Sequence, residues 1–467
     1  MYSILTVFQY NVFMETVKID TPKEVHTIID KFENKKYEIY IVGGAVRDVL
    51  MGKLTYDWDF TTNATPEEIL KLFPDGFYDN LFGTVGIAAA EEGARPYEIT
   101  TFRTEQGYSD NRRPDSVTWG KSLEEDMKRR DFTINAMALK RQEASSFTLI
   151  DHYGGQKDLK AKLIRAVGDP NERFSEDALR MIRAVRIASE IGFTIEDDTL
   201  DAIKANSALI NKIAKERVRE ELYKILKSPY PYEGMLIFRN VGLMEEILPE
   251  LEKCFGVEQK SPGRHHIYDV GTHSLMSLKF CKSTDPIVRF AALIHDIGKP
   301  STYKKTTSGI ITFYNHEMAS AKIAERIADR LRFSSQDKEK LITLVRWHQF
   351  TVDERQTDSA LRRFVRNVGV DNIPDMLDLR VGDRLGGGAR ETSWRLEEFK
   401  KRIVEVQKEP FAIKDLKVNG KDVMEILKIK PGPRVGEVLQ KIFDKVEAKE
   451  IPNEKEVLLE EIKNLTS

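Results

Sequence analysis

The chain has 467 residues, 41% of them hydrophobic, which exceeds one ordinary core and implies several domains. Its formal net charge of −2 excludes a global basic field, so any nucleic acid must be met by local groups of cations. Two cysteines, Cys254 and Cys281, exclude a disulfide framework and a thiolate metal cluster, and no run of about 18 apolar residues marks a membrane span.

Residues 1–13, MYSILTVFQYNVF, are apolar. They lack a basic leader region and a small-residue cleavage site, so no signal peptide is expected, and Met14 is a second candidate start. From residue 15 short strands mix with helices. Pro22–Lys35 reads as a helix with Thr21 as N-cap. Tyr40–Val42 reads as a buried strand that breaks at Gly43 and Gly44. A helix over Val46–Met51 then carries Arg47 and Asp48. A turn at Gly52 leads to a second strand, Tyr56–Phe60. Asp57 and Asp59 stand at i and i+2 there, so both carboxylates project from one face. They repel unless a cation lies between them, and Mg²⁺ suits hard oxygen ligands while keeping positions for substrate phosphates. The glycine turn lets backbone N–H groups approach a triphosphate. The parts together point to metal-assisted nucleotidyl transfer. For the two aspartates alone, a solvated strand end is the alternative.

Pro66–Phe73 is a further helix, capped by Thr65, and 79–90 holds a turn and a small-residue strand. Tyr97–Phe102 is β-rich and ends at Arg103. The run TEQGYSDNRRPDSVTWG reads as a surface loop able to move during catalysis. In EEDMKRRDFTINAMAL, 124–139, Arg129 and Arg130 can fork onto phosphates. Asp131 and Asn135 lie four apart on one helical face, where they can hold a ribose or each other. A helix cap with structural salt bridges is the alternative for Asp131. Lys128–Arg130 and the group Arg362, Arg363 and Arg366 are candidate RNA contacts, against the commoner fate of a solvated helix face.

Beyond 156 the pattern is helical. Residues 172–192 carry Leu179, Ile182, Val185 and Ile187 at helical spacing, with Asp177 and Arg180 three apart, which by spacing alone is a salt bridge. Six of the eight histidines, among them His265 and His266, fall between 265 and 348. In 401–467, Asn419-Gly420 and Pro431-Gly432-Pro433 separate amphipathic helices. The helix after Pro433 can offer N–H groups to a phosphate.

The combination GG-x-VRD at 43–48 and DWDF at 57–60 resembles the active-site signature of polymerase-β-like nucleotidyltransferases. More narrowly it resembles the class II branch of tRNA CCA-adding enzymes and bacterial poly(A) polymerases. RRDFTINAMA is similar to that branch's second signature, and Glu176-Asp177-Ala178-Leu179-Arg180 to its E-D-x-x-R. The resemblance runs from about residue 20 to 465. It implies that Asp57 and Asp59 hold two Mg²⁺ ions, with Glu98 a third catalytic carboxylate. Gly43, Gly44, Arg47, Asp48, Arg103, Arg129, Arg130, Asp131, Asn135, Asp177, Arg180 and Arg183 would bind nucleotide. Arg47, Arg103, Arg129 and Arg130 would neutralise the triphosphate. Asp177 and Arg180 would read the base edge in place of a template, and Arg217 and Glu221 would brace the neck.

HHIYDVGTH, AALIHDIGKP, YNHEMAS, VRWHQ and RVGDR resemble the HD phosphohydrolase family. That implies a metal held by His273, His295, Asp296 and Asp383. Imidazole with carboxylate suits Mn²⁺, Ni²⁺ or Fe, and such an ion lowers the pKa of bound water. His316 and His348 would hold a second metal or bind phosphate. A structural histidine is the alternative for each.

The implied fold is an α+β head over 15–155, with a small mixed sheet flanked by helices. An all-α neck (156–260), HD domain (261–400) and tRNA-gripping tail (401–467) would follow. The implied activity is addition of CCA to tRNA from CTP and ATP in the cytoplasm, with HD phosphohydrolysis beside it. A bacterial poly(A) polymerase and a partial CC- or A-adding enzyme are alternatives. The loop YSDNRRPDSV, and the lack of a GRRFRL-like block near the head–neck junction, favour CCA addition. A phosphohydrolase with a degenerate head, or an inactive RNA-binding module, would not need the full head signatures. The oligomeric state stays open.

Overall fold

The computed structural model describes residues 13–78, 83–89, 95–106, 116–120, 122–143, 145–259, 267–350, 353, 355–407, 413–448 and 450–465. It divides into two compact units, Met1–Pro249 and Glu250–Ser467.

Unit 1 begins with β1 (Phe13–Lys18), α1 (Lys23–Glu33), β2 (Ile39–Val42), α2 (Gly44–Leu50), β3 (Asp59–Thr62) and α3 (Pro66–Leu72). Then come β4 (Phe77–Tyr78), β5 (Thr84–Ile87), β6 (Tyr97–Thr101), β7 (Arg103–Gln106) and β8 (Ser116–Trp119). The short α4 (Leu123–Lys128) leads into β9 (Met137–Glu143), β10 (Ser146–Asp151) and α5 (Gly155–Ala161). The main sheet has eight strands in the order β1-β10-β9-β2-β3-β6-β5-β4. Only β3 and β6 run parallel in it.

The two-residue period of β2 sorts the sheet into two apolar faces. Ile39 and Ile41 pack with Phe60, Ile99 and Leu139 beneath α1 and α3, whose Val25, Ile28, Phe32 and Ile69 are buried. Tyr40 and Val42 face the other way and pack with Phe102, Met127 and Ala138. Asp59 and Thr61 lie across from Val42 and Tyr40, so they share that second face, which α4 covers.

The helical remainder of unit 1 follows β11 (Leu163–Ile164) with α6 (Pro170–Glu176), α7 (Leu179–Ile191), β12 (Thr194–Ile195) and α8 (Asp197–Asn206). It continues through α9 (Lys215–Lys227), α10 (Pro231–Asn240) and α11 (Leu243–Ile247), and the short α12 (Pro249–Glu252) carries the boundary between the units. Unit 2 opens with α13 (Val270–Phe280), α14 (Pro286–Ile294) and α15 (Lys299–Thr302). A small hairpin of β13 (Lys304–Lys305) and β14 (Ile311–Thr312) leads to α16 (His316–Arg330) and α17 (Ser335–Trp347). Next are α18 (Asp358–Val368), α19 (Ile373–Gly386) and α20 (Trp394–Val406). Finally α21 (Gly420–Leu427), α22 (Pro433–Glu447) and α23 (Lys455–Asn464) close on their own cluster around Val423, Ile442, Phe443 and Leu458. Among the described residues no helix is long and apolar enough to cross a membrane.

Several expectations need correction. The second strand starts at Asp59, not Tyr56, so Asp57 lies in the loop before it and the one-face argument does not apply. Thr21 does not cap α1, because its hydroxyl pairs with His26 Nε2 at 2.8 Å. Thr65 does cap α3, in a reciprocal box with Glu68. Both ends of the expected loop over 104–120 are instead paired strand, β7 with β8, and residues 107–115 lie outside the described ones. Asp131 and Asn135 do not share a helix, since α4 ends at Lys128 and only a 3₁₀ turn follows at Thr133–Asn135. The helix over 172–192 is broken: Asp177 is extended, and its Oδ1 accepts the Leu179 N–H at 3.0 Å, separating α6 from α7. Two short strand pairs interrupt the regions expected to be all helix, being too brief to leave a periodicity.

Glycine sets one close approach in unit 2. A Cβ on Gly382 would lie 2.6 Å from the Ser277 carbonyl, and one on Gly386 2.6 Å from the Ser277 hydroxyl. These glycines let α19 lie against α13. Gly382→Val should therefore lower the melting temperature, at a cost of about 1–3 kcal/mol or more. Gly436→Ala, whose Cβ meets nothing within 4 Å on α22, should leave it unchanged or raise it. Calorimetry of the two variants checks the contrast.

Candidate functional site

The head cleft is built on the turn after β2. Gly43 has φ +78°, and a Cβ there would lie 3.2 Å from Asp59 Oδ2, so glycine serves both the left-handed turn and the approach of α2 to the acid. The parallel register places Glu98 beside Asp59. Asp59 has its carboxyl pushed up to about 7, first by burial, then by the charges of Asp57 and Glu98, against Arg130 and Arg183. The three carboxylates offer an all-oxygen donor set, the kind Mg²⁺ takes, but among the described residues they do not meet within 4.8 Å of one another. Asp57 is more open; its Oδ2 takes Arg95 Nη1 at 2.9 Å, and it lines a separate cavity of about 890 Å³ with Leu54 and Tyr56.

A cleft of about 350 Å³ brings together Gly43, Gly44, Asp59, Arg103, Arg129 and Arg130 from the head with Asp177, Arg180 and Arg183 from the helical part. Asp131 and Asn135 lie at its wall. Arg47 and Asp48 do not line it. Arg47 is buried, pairs with Asp48, and donates from Nη1 to Asn135 Oδ1 at 2.9 Å. Asp177 and Arg180 do not pair with each other, which removes the salt-bridge alternative for them. Asp177 pairs with Arg217 at 3.3 Å, while Arg180 donates to Glu176 at 2.8 Å and to the Arg129 carbonyl at 2.9 Å. Arg217, expected only as a brace, also lines the cleft; Glu221 is a brace, pairing with Arg186 at 3.0 Å. Among the candidate RNA contacts, Arg363 is exposed, whereas Arg362 and the half-buried Arg366 are engaged inside unit 2. Arg362 is buried on the Glu447 carbonyl and Arg366 pairs with the Glu447 carboxylate, joining α18 to α22.

Unit 2 holds a second polar cluster. The closest sets of three metal-competent side chains among the described residues are His273, His295, Asp296 and Asp296, His316, His348, each within 4.8 Å. Asp296 Oδ2 faces His295 Nε2 at 3.2 Å and His273 Nε2 at 3.4 Å. Its Oδ1 faces His316 Nε2 at 3.2 Å and His348 Nε2 at 3.6 Å. Asp383 on α19 comes within 3.2 Å of His273 Nε2, a contact that the glycines beside it permit. His295, His316 and His348 direct Nδ1 at the carbonyls of Ala292, Phe313 and Val345 at 2.7–2.9 Å. With Nδ1 anchored there, Nε2 of each is aimed at the Asp296 carboxylate, the orientation in which a metal would meet Nε2. Burial would lift the Asp296 carboxyl, but His295 and Lys299 outweigh it and hold it well below the usual range. Lys299, three residues after Asp296, bonds its Oδ2 at 2.6 Å and Gln259 at 2.8 Å. Lys299, Tyr314 and Arg380 line the adjoining cavity of about 430 Å³. Sequence reading gave them no role; the Ile-Gly-Lys after Asp296 was the available signal for Lys299. His265 and His266 lie outside the described residues.

The raised carboxyl of Asp59 has a pH consequence. A folded-state value above the unfolded one contributes stability below the unfolded value, near 3.8, and loses it as pH rises toward about 7. Without divalent ions, Asp59→Asn should therefore stabilise the protein at pH 8, by on the order of 1–2 kcal/mol after allowance for partial solvation. It should do little near pH 4. Mg²⁺ at pH 8 should raise the melting temperature of the wild type more than that of the variant, which thermal melts at both pH values check.

The pattern described as the Poly A polymerase head domain matches residues 39–165. That of a probable RNA and SrmB-binding site of polymerase A matches 192–255, and a tRNA nucleotidyltransferase domain 2 matches 317–462. The CCA-adding enzyme of Pediococcus pentosaceus is 33% identical over 95% of this chain and 98% of its own. That of Ligilactobacillus salivarius is 34% identical over 96% and 97%. The Bacillus stearothermophilus CCA-adding enzyme in complex with CTP superposes with a TM-score of 0.68 at 28% identity, covering 95% of this chain and 97% of that one. The Thermotoga maritima CCA-adding enzyme complexed with tRNA shares the fold, with a TM-score of 0.59 at 21% identity over 97% and 99%. With relatives above 30% identity aligned along almost their whole length, this chain belongs to the CCA-adding enzyme family of nucleotidyltransferases.

Proposed function

We propose that this chain adds C, C and A to the 3′ end of tRNA, taking CTP and ATP as donors. The observation that carries the reading is the single cleft in which Asp59, three phosphate-competent arginines and the pair Asp177 and Arg180 meet. Arg103, Arg129 and Arg130 hold the triphosphate in forked geometry. Asp177 and Arg180 present an acceptor and donors to the base edge. Their resting partners, Arg217 and Glu176, keep them ordered until a base replaces water. A site with polar groups so committed rejects a base that leaves them unpaired. Asp57 and Asp59, with Glu98, would hold two Mg²⁺ ions, which when bound acidify the primer hydroxyl and neutralise the departing pyrophosphate. Two of the matched patterns carry poly(A) polymerase names, but the full-length relatives are CCA-adding enzymes, which favours CCA addition over polyadenylation. Cys254 and Cys281, both free and buried, suit the expected reducing cytoplasm.

The test is extension of tRNA lacking CCA, with CTP and ATP supplied singly and together. CTP alone should add two residues, ATP alone none, and both three. Asp59→Ala should abolish every addition while tRNA binding persists, because RNA affinity rests on phosphate contacts elsewhere. Arrest after CC with both nucleotides present, addition of A only to tRNA that already ends in CC, or open-ended addition of A, would reassign the chain to the partial or polyadenylating class.

A second reading concerns unit 2: a phosphohydrolase of the HD type within a division at 15–155, 156–260, 261–400 and 401–467. Its support is the Asp296 carboxylate, each of whose oxygens faces a different histidine pair. His273, His295, Asp296 and Asp383 would hold one transition metal, and His316 and His348 fit a second on the far oxygen of Asp296. Lys299 and Arg380 stand ready for a phosphate in the adjoining cavity. Substrates of the 2′,3′-cyclic phosphate or 2′-nucleotide class would let this activity expose the 3′-hydroxyl that the head consumes. His295→Ala with Asp296→Ala should remove hydrolysis of 2′,3′-cyclic AMP under Mn²⁺, Ni²⁺ or Co²⁺ and leave CCA addition near wild type. Hydrolysis that survives the double change refutes the ligand assignment.

A further inference from the structure

Two arginines of the head cleft, Arg129 and Arg130, converge on a carboxylate that no part of the proposed chemistry uses. Asp126, on α4, is fully buried, and its Oδ1 accepts from Arg129 Nε at 2.9 Å and Nη2 at 2.6 Å. Its Oδ2 accepts from Arg130 Nη2 at 3.2 Å and from the Thr61 hydroxyl at 3.2 Å. Thr61 stands two residues from Asp59 on the same strand and the same face. One carboxylate thus ties the catalytic strand to both guanidinium groups. Arg130 has Nη1 within 3.5 Å of where a Gly43 Cβ would stand, beside Asp59, and its buried Nε has no partner. Its fork is held by one arm, and the rest is turned to the turn and acid that open the cleft.

Stability does not account for this arrangement well. A buried ion cluster repays its desolvation poorly compared with apolar residues of similar size. What it does supply is orientation, because adjacent cations repel and would otherwise swing apart into solvent. On the reading of the head as a triphosphate site, we infer that Asp126 is a positioning residue. It sets the two arginines at the β- and γ-phosphates rather than contacting nucleotide itself. The Arg129 carbonyl, which takes the Arg180 Nη2 hydrogen bond, carries the same alignment to the base-reading arginine.

The test separates positioning from bulk charge and from folding. CTP and CMP binding to the full chain is measured by calorimetry with Mg²⁺, for wild type, Asp126→Asn and Thr61→Val. Asp126→Asn keeps the shape but turns one acceptor into a donor facing a guanidinium. CTP affinity should fall about 10–100-fold, as for a misplaced clamp, while CMP, which lacks the outer phosphates, should change less than about 3-fold. Thr61→Val, which removes the tether together with the hydroxyl's bond to the Thr100 carbonyl on β6, should shift CTP the same way by a smaller factor, and it carries the test if Asp126→Asn fails to fold. Tighter CTP binding would overturn the inference, because Asp126 would then only temper the positive charge. Equal weakening of CTP and CMP, or no change in either, would also overturn it. A wild type that binds CTP no better than CMP would instead sink the underlying triphosphate reading.

Discussion

The pairing of Asp131 with Arg183 is the interaction on which the head cleft depends. Asp131 Oδ2 takes Nε and Nη2 of Arg183 at 2.9 and 2.6 Å, a forked bond between the turn after α4 and helix α7. Its Oδ1 takes the Phe132 N–H at 2.8 Å and Asn135 Nδ2 at 3.1 Å. Burial would raise this carboxyl, but the Arg183 guanidinium outweighs it and holds it far below the usual range. Arg47 then reaches Asn135, so α2 and its glycine turn hang on the same chain of bonds. Arg129 and Arg130 on one side of the cleft, and Asp177 and Arg180 on the other, come from different parts of unit 1 and need a fixed separation. The buried Asp131–Arg183 bond, aided by the Arg180 bond to the Arg129 carbonyl, holds that separation.

The two polar centres use carboxylates in opposite ways. In the head, Asp59 is crowded by Asp57 and Glu98, and its acid form is favoured until a cation arrives. In unit 2, Asp296 is surrounded by imidazoles and Lys299, and its charged form is held in place without a metal. An oxygen-only cluster favours a hard ion, whereas the imidazole-rich cluster favours a borderline one. The chemistry of the donors therefore separates the two sites before any question of substrate. Both sites also rely on glycine for approach: Gly43 against Asp59, Gly382 and Gly386 against α13.

Short-range patterns in the chain determined much of this by themselves. The glycine turn before α2, the capped start of α3, the arginine pair 129–130 and the spacing of the buried histidines are local matters, settled by backbone freedom, capping chemistry and side-chain type. Local spacing misled wherever a residue's partner lay far along the chain. Asp177 and Arg180 looked like a helical pair, yet Arg217 takes one and Glu176 the other, because Asp177 is extended between two helices. Arg362 and Arg366 looked like an RNA surface, yet both are tied to Glu447, and Arg362 is buried. Asp126 drew no attention, since nothing in its neighbourhood of sequence shows that Thr61 meets it from the sheet. Residue type and spacing decide which chemistry is available. Which groups face each other, and which charges are buried and paired, is decided only by packing, because desolvation and pairing energies act through space between residues that the sequence keeps apart.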